Sequence, residues 1–311
     1  MRLPWSIGLS AIVIAAHVVA HGHASPQDLQ PRFRTGIDVV SLNVTATDGS
    51  RRYVTDLGAA DFQILEDGRK QELTFFQKTG LPLALVLLMD TSASMQESLP
   101  VAQEAAIGFA RELGPQDRAC VIDFDTSVRV RQEFTNDRTA IERAIRSTRA
   151  DGATALYNAV YIALRELQKT PRGPQRDEPR RQAIVVLSDG DDTASLISFD
   201  EVLDQAARDD TTIYAIGLGV RTPGLVRKYS DAQFVLRRLA DQTGGRTFFP
   251  QMAKELAAVY GEIKAELSSQ YSLAYESNNP RRDGQFRHIA VRVERPNVVA
   301  RTRPGYYAPA R

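Results

Sequence analysis

The central part of the chain alternates short, continuously apolar segments with amphipathic ones. The apolar runs cover residues 83–89, 119–124, 183–187, 212–216 and 247–249. Between them, apolar residues recur at helical spacing within 156–167, 236–240 and 256–267. Uninterrupted apolar runs of this length are typical of strands that are buried on both faces. Their alternation with helices predicts an α/β fold with a doubly wound, mostly parallel, Rossmann-like sheet.

The two flanks of this central part show the two-residue alternation of half-buried strands. The alternation covers 40–46 and 62–75 before the centre, and 271–275 and 289–293 after it. Asp67-Gly68 predicts a turn, so we expect a hairpin over 62–75. Neither flank has enough strands for a stable sheet of its own. We therefore expect residues 25–80 and 269–311 to pair into one small β-sandwich, with residues 81–268 inserted as a separate domain.

The N-terminus has the pattern of an export signal. Arg2 supplies a positive charge, residues 7–20 are apolar, and small residues follow at Gly22 and Ala24. This pattern predicts a signal peptide over 1–24 and a mature chain from about Ser25, exported to the periplasm or secreted. An uncleaved membrane anchor is the alternative, although a spanning helix needs about 20 apolar residues and this run is shorter.

Composition narrows the functional classes. The 311 residues include 39 basic and 38 acidic side chains, a net charge of +1, which argues against a nucleic-acid binder that works through bulk positive charge. Cys120 is the only cysteine, so an intramolecular disulfide or a cysteine-based zinc site is excluded. Outside the predicted signal peptide His288 is the only histidine, which argues against hydrolases and metalloenzymes built on histidine. We expect Cys120 to be a core side chain and His288 an exposed strand residue.

Polar side chains follow two of the apolar strands. Asp90, Ser92 and Ser94 come after the first strand, Asp189 comes after a later one, and Thr154 precedes an amphipathic helix. Ligands of open α/β sheets bind at the carboxyl ends of the strands, so we expect these side chains to lie together. Carboxylates and hydroxyls are hard oxygen donors that suit Mg²⁺ or Mn²⁺. Few charges surround such an ion, so an incoming carboxylate is its natural external ligand.

The same residues resemble the metal-ion-dependent adhesion site (MIDAS) of von Willebrand factor type A domains. The resemblance covers about residues 82–267 and rests on Asp90-x-Ser92-x-Ser94, Thr154 within Gly-x-Thr-Ala-Leu, and Ser188-Asp189-Gly190. It implies that Ser92, Ser94 and Thr154 contact the metal through their hydroxyls, while Asp90 and Asp189 act directly or through water. It also implies a partner protein that offers an Asp or Glu carboxylate. The flanks are similar to those of an exported bacterial subgroup, described mainly from Acidobacteria, which has no defined activity.

Two other functions stay open at this point. A Mg²⁺-dependent aspartyl phosphatase would need a second aspartate two residues after Asp90, but Ser92 is there, and a hydroxyl is a poor general acid. The second open function is a structural or assembly role in the cell envelope, in which the metal site is not essential. We interpret Asp191 and Asp192 as solvated loop charges, and the aspartates at 123 and 125 as strand-end residues rather than ligands. The sequence thus predicts a non-enzymatic, metal-dependent protein-binding module. It does not determine the oligomeric state.

Overall fold

The computed structural model of the protein describes residues 39–78, 80–169, 180–189, 191–219 and 231–310. The predicted signal peptide, residues 1–24, lies outside these ranges. Within them, no helix combines the length and the apolar character needed to cross a membrane.

The described elements are fourteen strands and six α-helices. The strands are β1 (Val39–Asp48), β2 (Phe62–Glu66), β3 (Arg69–Gln71), β4 (Leu73–Lys78), β5 (Leu83–Asp90), β6 (Arg118–Phe124), β7 (Val128–Thr135), β8 (Arg181–Ser188), β9 (Thr211–Gly217), β10 (Thr247–Phe248), β11 (Tyr271–Glu276), β12 (Phe286–Val293), β13 (Val298–Arg301) and β14 (Gly305–Tyr307). The helices are α1 (Leu99–Arg111), α2 (Arg138–Arg146), α3 (Leu156–Lys169), α4 (Phe199–Arg208), α5 (Asp231–Thr243) and α6 (Leu256–Ser269).

A six-stranded sheet in the order β10-β9-β8-β5-β6-β7 forms the centre of the chain. Its strands are parallel except for β7, which pairs antiparallel with β6 at one edge. Every residue of β5 is buried, which explains its continuous apolar sequence. The predicted doubly wound, mostly parallel sheet is therefore confirmed. The edge strand β7 was not predicted because it is not an apolar run: Val128, Val130 and Phe134 alternate with the charged Arg129, Arg131 and Glu133, and no residue of the strand is fully buried.

Helices cover both faces of this sheet. Leu85 and Leu87 point into one core, formed with α1, α2 and α6, while Val86 and Leu88 point into the other, formed with α3, α4 and α5. The chain leaves β5 for β6 on one side and later returns to β8 on the other. The carboxyl end of β5 is therefore the point where the winding reverses, which is where open α/β sheets bind ligands.

The two flanks combine into two further sheets, in the orders β13-β1-β11-β4 and β14-β12-β2-β3. Each sheet takes strands from both flanks, because β1 pairs with β11 and β2 pairs with β12. Leu42 and Tyr271 from the first sheet share one buried core with Ile64 and Ile289 from the second. The two sheets thus form the predicted sandwich. Along the chain, the elements of the central sheet are inserted between β4 and β11 of this sandwich.

The hairpin predicted over 62–75 is shorter than expected. β2 and β3 form it, and the turn residues Asp67 and Gly68 both have positive φ, 47° and 78°, as a tight hairpin turn requires. After Glu72 the chain leaves this sheet, and β4 pairs with β11 of the opposite sheet. The prediction was wrong here because β4 packs beside β11 instead of β3, and the rings of Phe76 and Tyr271 on these two neighbouring strands stack with centroids 6.0 Å apart.

A buried carboxylate joins the central unit to the sandwich. Glu266 on α6 is fully buried and accepts a hydrogen bond of 2.9 Å from the Tyr214 hydroxyl on β9. It also forms ion pairs with Arg301 of β13 and, at 3.5 Å, with Arg246. A buried charge is tolerated only where partners compensate for the lost water, so this cluster fixes α6 against the sandwich.

Candidate metal site

Asp90 lies at the carboxyl end of β5 and is fully buried. Its Oδ1 accepts a hydrogen bond of 2.8 Å from the Ser92 backbone N–H, the local turn that aspartate favours. Its Oδ2 accepts one of 2.5 Å from the hydroxyl of Ser188, the last residue of the neighbouring strand β8. Burial raises the pKa of Asp90 to about 6, although these two hydrogen bonds act in the opposite direction. The ionised carboxylate is thus oriented but poorly solvated, and a cation beside it would offset that desolvation.

Ser92, Ser94 and Asp189 continue the polar group towards solvent. The Ser92 and Ser94 hydroxyl oxygens are 3.0 Å apart, and the Ser94 hydroxyl donates a hydrogen bond of 2.8 Å to Asp189 Oδ1. Ser92 is buried, Asp189 is half-buried and Ser94 is exposed. Burial raises the pKa of Asp189 as well, against the hydrogen bond from Ser94. The group therefore contains two desolvated carboxylates and opens to solvent at one end.

Thr154 is buried just before the first turn of α3. Its loop is fixed to the Ser92–Ser94 loop by a hydrogen bond of 3.0 Å from the Ala93 N–H to the Gly152 carbonyl. Gly152 has a φ of +70°, and a Cβ there would lie 2.6 Å from Thr126 Oγ1, so the position requires glycine.

The loop after β8 is also attached to Thr154. The Thr154 carbonyl accepts hydrogen bonds from the backbone N–H groups of Thr193, at 2.8 Å, and Ala194, at 3.0 Å. The structure therefore brings Asp90, Ser92, Ser94 and Asp189 into one hydrogen-bonded group. It joins Thr154 to that group through the backbones of the loops. Gly190, the last residue of the third sequence element, lies outside the described residues.

Sequence reasoning missed the roles of Ser188 and Asp192. Ser188 belongs to the Ser188-Asp189-Gly190 element, but its hydroxyl orients the Asp90 carboxylate. This role is visible only once β5 and β8 are paired. Asp192 is not a solvated loop charge as predicted, because Oδ1 accepts hydrogen bonds from the Tyr157 N–H, at 3.1 Å, and the Ser195 hydroxyl, at 2.6 Å. A carboxylate at the first turn of α3 stabilises that helix. The neighbouring Asp191 side chain is exposed.

Asp123 and Asp125 have structural partners beside the site. Asp123 is fully buried and accepts a hydrogen bond of 2.7 Å from Arg131. Although burial acts in the opposite direction, the hydrogen bond from Arg129 keeps the pKa of Asp125 below its ordinary value. The Asp125 carbonyl also accepts a hydrogen bond of 2.9 Å from the backbone N–H of residue 155, next to Thr154. Arginine side chains compensate both aspartates, and the backbone of Asp125 supports the loop that carries Thr154.

The donor set fits a hard divalent cation. In the described ranges no three or more His, Cys, Asp or Glu residues come together as a metal cluster, so a cation here depends on hydroxyl oxygens as well as carboxylates. Two carboxylates with raised pKa values and adjacent serine hydroxyls supply only oxygen. Oxygen donors in small number, with room for water, suit Mg²⁺ and Mn²⁺.

Comparison with known sequences identifies the central unit. Residues 85–191 match the von Willebrand factor type A domain. The chain is 32% identical over 114 residues to an uncharacterized protein of Synechocystis sp., covering 36% of this chain and 26% of that protein. It is 24% identical over 206 residues to inter alpha-trypsin inhibitor heavy chain 4 of Mus musculus, covering 62% of this chain and 21% of that protein. The chain thus spans about a quarter or less of these curated relatives.

Solved structures share the fold at low identity. A von Willebrand factor type A structure from Catenulispora acidiphila superposes with a TM-score of 0.53 and 13% identity, covering 89% of this chain and 76% of that one. Proximal thread matrix protein 1 from the mussel byssus, with a zinc-occupied MIDAS motif, superposes with a TM-score of 0.50 and 17% identity, covering 64% and 49%. Domains of this kind are commonly protein-interaction modules, and many bind a divalent metal. The central unit of this chain, with the sequence match at residues 85–191 and the six-stranded sheet, is a von Willebrand factor type A domain.

Proposed function

We propose that this chain is an exported protein-binding module. Asp90, Ser92, Ser94, Thr154 and Asp189 hold Mg²⁺ or Mn²⁺, and the ion takes an Asp or Glu carboxylate of a partner protein as a further ligand. The observation that carries this proposal is the 2.8 Å hydrogen bond between Ser94 and Asp189, which unites the first and third sequence elements of the site. The resemblance of all three elements to an adhesion site supports the same function.

The proposed roles are those that the resemblance to the adhesion site implies. The hydroxyls of Ser92, Ser94 and Thr154 are the direct ligands, and Asp90 and Asp189 hold the ion directly or through water. When bound, the ion supplies an electron-poor position that attracts a carboxylate. Ser188 fixes the Asp90 carboxylate through its 2.5 Å hydrogen bond, so the pocket is oriented before the ion enters. The zinc-occupied MIDAS motif of the mussel protein supports a divalent ion in a domain of this fold.

Binding is favoured over catalysis by the environment of Asp90. An aspartyl nucleophile must reach its substrate, but Asp90 is fully buried and both of its oxygens accept hydrogen bonds. Ser92, two residues later, offers a hydroxyl where the phosphatase mechanism needs an acid to protonate the leaving group. The residues of the site therefore suit a coordinating role better than covalent catalysis.

Calorimetric titration of Mg²⁺ and Mn²⁺ into the chain from about Ser25 tests the metal site. We expect one ion per chain for the wild type and loss of binding in the Ser92→Ala/Ser94→Ala variant. The matched control is Ser41→Ala/Ser268→Ala, which removes two exposed serine hydroxyls elsewhere and should bind like the wild type. Equal binding by all three proteins, or binding by none, would contradict the assignment.

Export is tested separately by the mass of the protein recovered from the periplasm and the medium of a producing cell. Cleavage after residue 24 predicts an N-terminus near Ser25. Full-length protein retained with the cytoplasm or the membrane would contradict a cleaved signal, and would leave the metal titration unaffected.

A further inference from the structure

We infer that Leu196 is the apolar contact of the partner-binding surface, so the partner presents an acidic side chain with apolar side chains beside it. This inference rests on the proposed function, because the acidic side chain is the one that coordinates the ion. It adds a specificity-determining residue that contacts the partner, not the metal.

Leu196 is displayed on a fixed loop. Its side chain is 94% exposed. The backbone N–H groups of Leu196 and Ile197 both donate to Asn158 Oδ1 on α3, at 3.1 Å and 3.4 Å. One residue earlier, the Ser195 hydroxyl is bonded to Asp192 at 2.6 Å. Ile197 packs against the core of the central sheet. The loop is therefore anchored on both sides of Leu196. The Leu196 side chain faces water, whereas the side chain of its neighbour Ile197 packs against the core.

Leu196 lies close to a proposed metal ligand. The Ala194 N–H donates a hydrogen bond of 3.0 Å to the carbonyl of Thr154. Two residues of extended chain span at most about 7 Å, so the backbone of Leu196 lies within that distance of Ala194. If the partner's carboxylate coordinates the ion, an apolar residue adjacent to it in the partner's sequence can therefore reach Leu196.

Other exposed apolar side chains lie at the same edge of the sheet. Val101 is in the first turn of α1, which follows β5, and Phe234 is in the first turn of α5, which follows β9. Met252 follows β10. These three and Leu196 make up four of the six large apolar side chains that are exposed in the part of the chain that the structure describes. The segments that carry these side chains follow strands of the central sheet, as do two of the loops of the proposed metal site.

The charges around the site select a protein partner. Asp189 and Asp192 flank the site, and the side chain of Asp191 is exposed. These carboxylates repel any anion, but the bound ion offsets the charge of the single protein carboxylate that coordinates it, whereas the further phosphates of a nucleic acid would meet the carboxylates uncompensated. Apolar side chains of the partner that flank this carboxylate then pack against Leu196. The surface thus fits an acidic residue set among apolar ones.

Two short peptides test this inference by fluorescence anisotropy in the presence of Mg²⁺. One has an aspartate flanked by two leucines on each side, and the other has the same aspartate flanked by serines. We expect the wild type to bind the leucine peptide about tenfold more tightly, since burying part of a leucine side chain accounts for about that factor. Leu196→Ser should bind both peptides equally. Val299→Ser, which removes a side chain that is 68% exposed on β13 of the sandwich, should keep the preference.

The outcomes separate this inference from the proposed function. Equal Mg²⁺-dependent affinity of the wild type for both peptides, or an unchanged preference in Leu196→Ser, overturns the role of Leu196 and leaves the metal-dependent function standing. Absence of Mg²⁺-dependent binding to either peptide overturns both. Leu196→Ser must also bind Mg²⁺ like the wild type in calorimetry, because Leu196 is not a metal ligand, and this result shows that the variant has folded.

Discussion

The Ser94 hydroxyl donates a hydrogen bond of 2.8 Å to Asp189 Oδ1, although the two residues are 95 positions apart along the chain. The contact follows from the sheet, because β5 and β8 are parallel neighbours in which Met89 pairs with Leu187. The residues that follow these strands therefore meet at one edge. The site is thus a consequence of the register of two buried strands.

Substituting Asp90 with asparagine separates stability from metal binding. The ionised Asp90 is desolvated, so we expect Asp90→Asn to raise the free energy of unfolding of the metal-free protein at pH 7.5 by about 1–3 kcal/mol. The same variant should lose the stabilisation that Mg²⁺ gives the wild type. Urea unfolding with EDTA and with Mg²⁺ measures both effects. A variant less stable than the wild type in EDTA would contradict the account of Asp90.

Metal affinity should depend on pH around 6. The pKa of Asp90 is raised to about 6, so the carboxylate is mostly protonated at pH 5 and mostly ionised at pH 7. Protons and the metal compete for it, and we expect an apparent affinity for Mg²⁺ about tenfold weaker at pH 5 than at pH 7. Calorimetry at the two pH values measures this change. An affinity that is unchanged, or stronger at pH 5, would contradict the prediction.

The stability of the metal-free protein should show the opposite trend. The folded chain binds the Asp90 proton more tightly than the unfolded chain, whose aspartate has a pKa of about 3.9. The contribution of Asp90 to stability is therefore fully present below about pH 4 and is lost as the pH rises through about 6. The difference in unfolding free energy between wild type and Asp90→Asn isolates this contribution from that of other groups.

The sequence predicts the central fold because each of the five parallel strands of its sheet is a short apolar run, as in residues 83–89. It also predicts the site residues, since the carboxyl ends of such strands share one edge. It misses β7, in which Val128 and Val130 alternate with arginines, because this pattern differs from the apolar runs of the other central strands. It misplaces β4, because local spacing does not show which sheet a strand joins. The roles of Ser188 and Asp192 depend on contacts between distant segments, which no local spacing encodes.

The Glu266 cluster should contribute strongly to stability without affecting the metal site. Glu266→Gln removes a fully buried charge, takes the carboxylate partner from Arg301 and leaves Arg246 with only its exposed pair to Glu262, so we expect a loss of about 3 kcal/mol in unfolding free energy. The control is Glu262→Gln on the same helix, whose ion pair with Arg246 is exposed and contributes less than about 1 kcal/mol. Urea unfolding measures both. Equal effects of the two variants would contradict the role of the cluster.

The single thiol reports on the integrity of the central sheet. Cys120 lies on β6, is buried, and has its pKa raised to about 12 by that burial. Since only the thiolate is reactive, we expect no labelling by a thiol reagent at pH 8 in the folded protein and one thiol per chain after denaturation. Rapid labelling of the folded protein would contradict the burial of β6.

The central claim, that a metal in this site coordinates a partner's carboxylate, is tested most directly by water proton relaxation of the Mn²⁺-loaded protein. Water bound to Mn²⁺ enhances relaxation, and a carboxylate that enters the coordination sphere displaces it. We predict that a peptide with one aspartate lowers the enhancement, and that the same peptide with asparagine does not. An equal response to the two peptides, or the same response in the Ser92→Ala/Ser94→Ala variant, would contradict the claim.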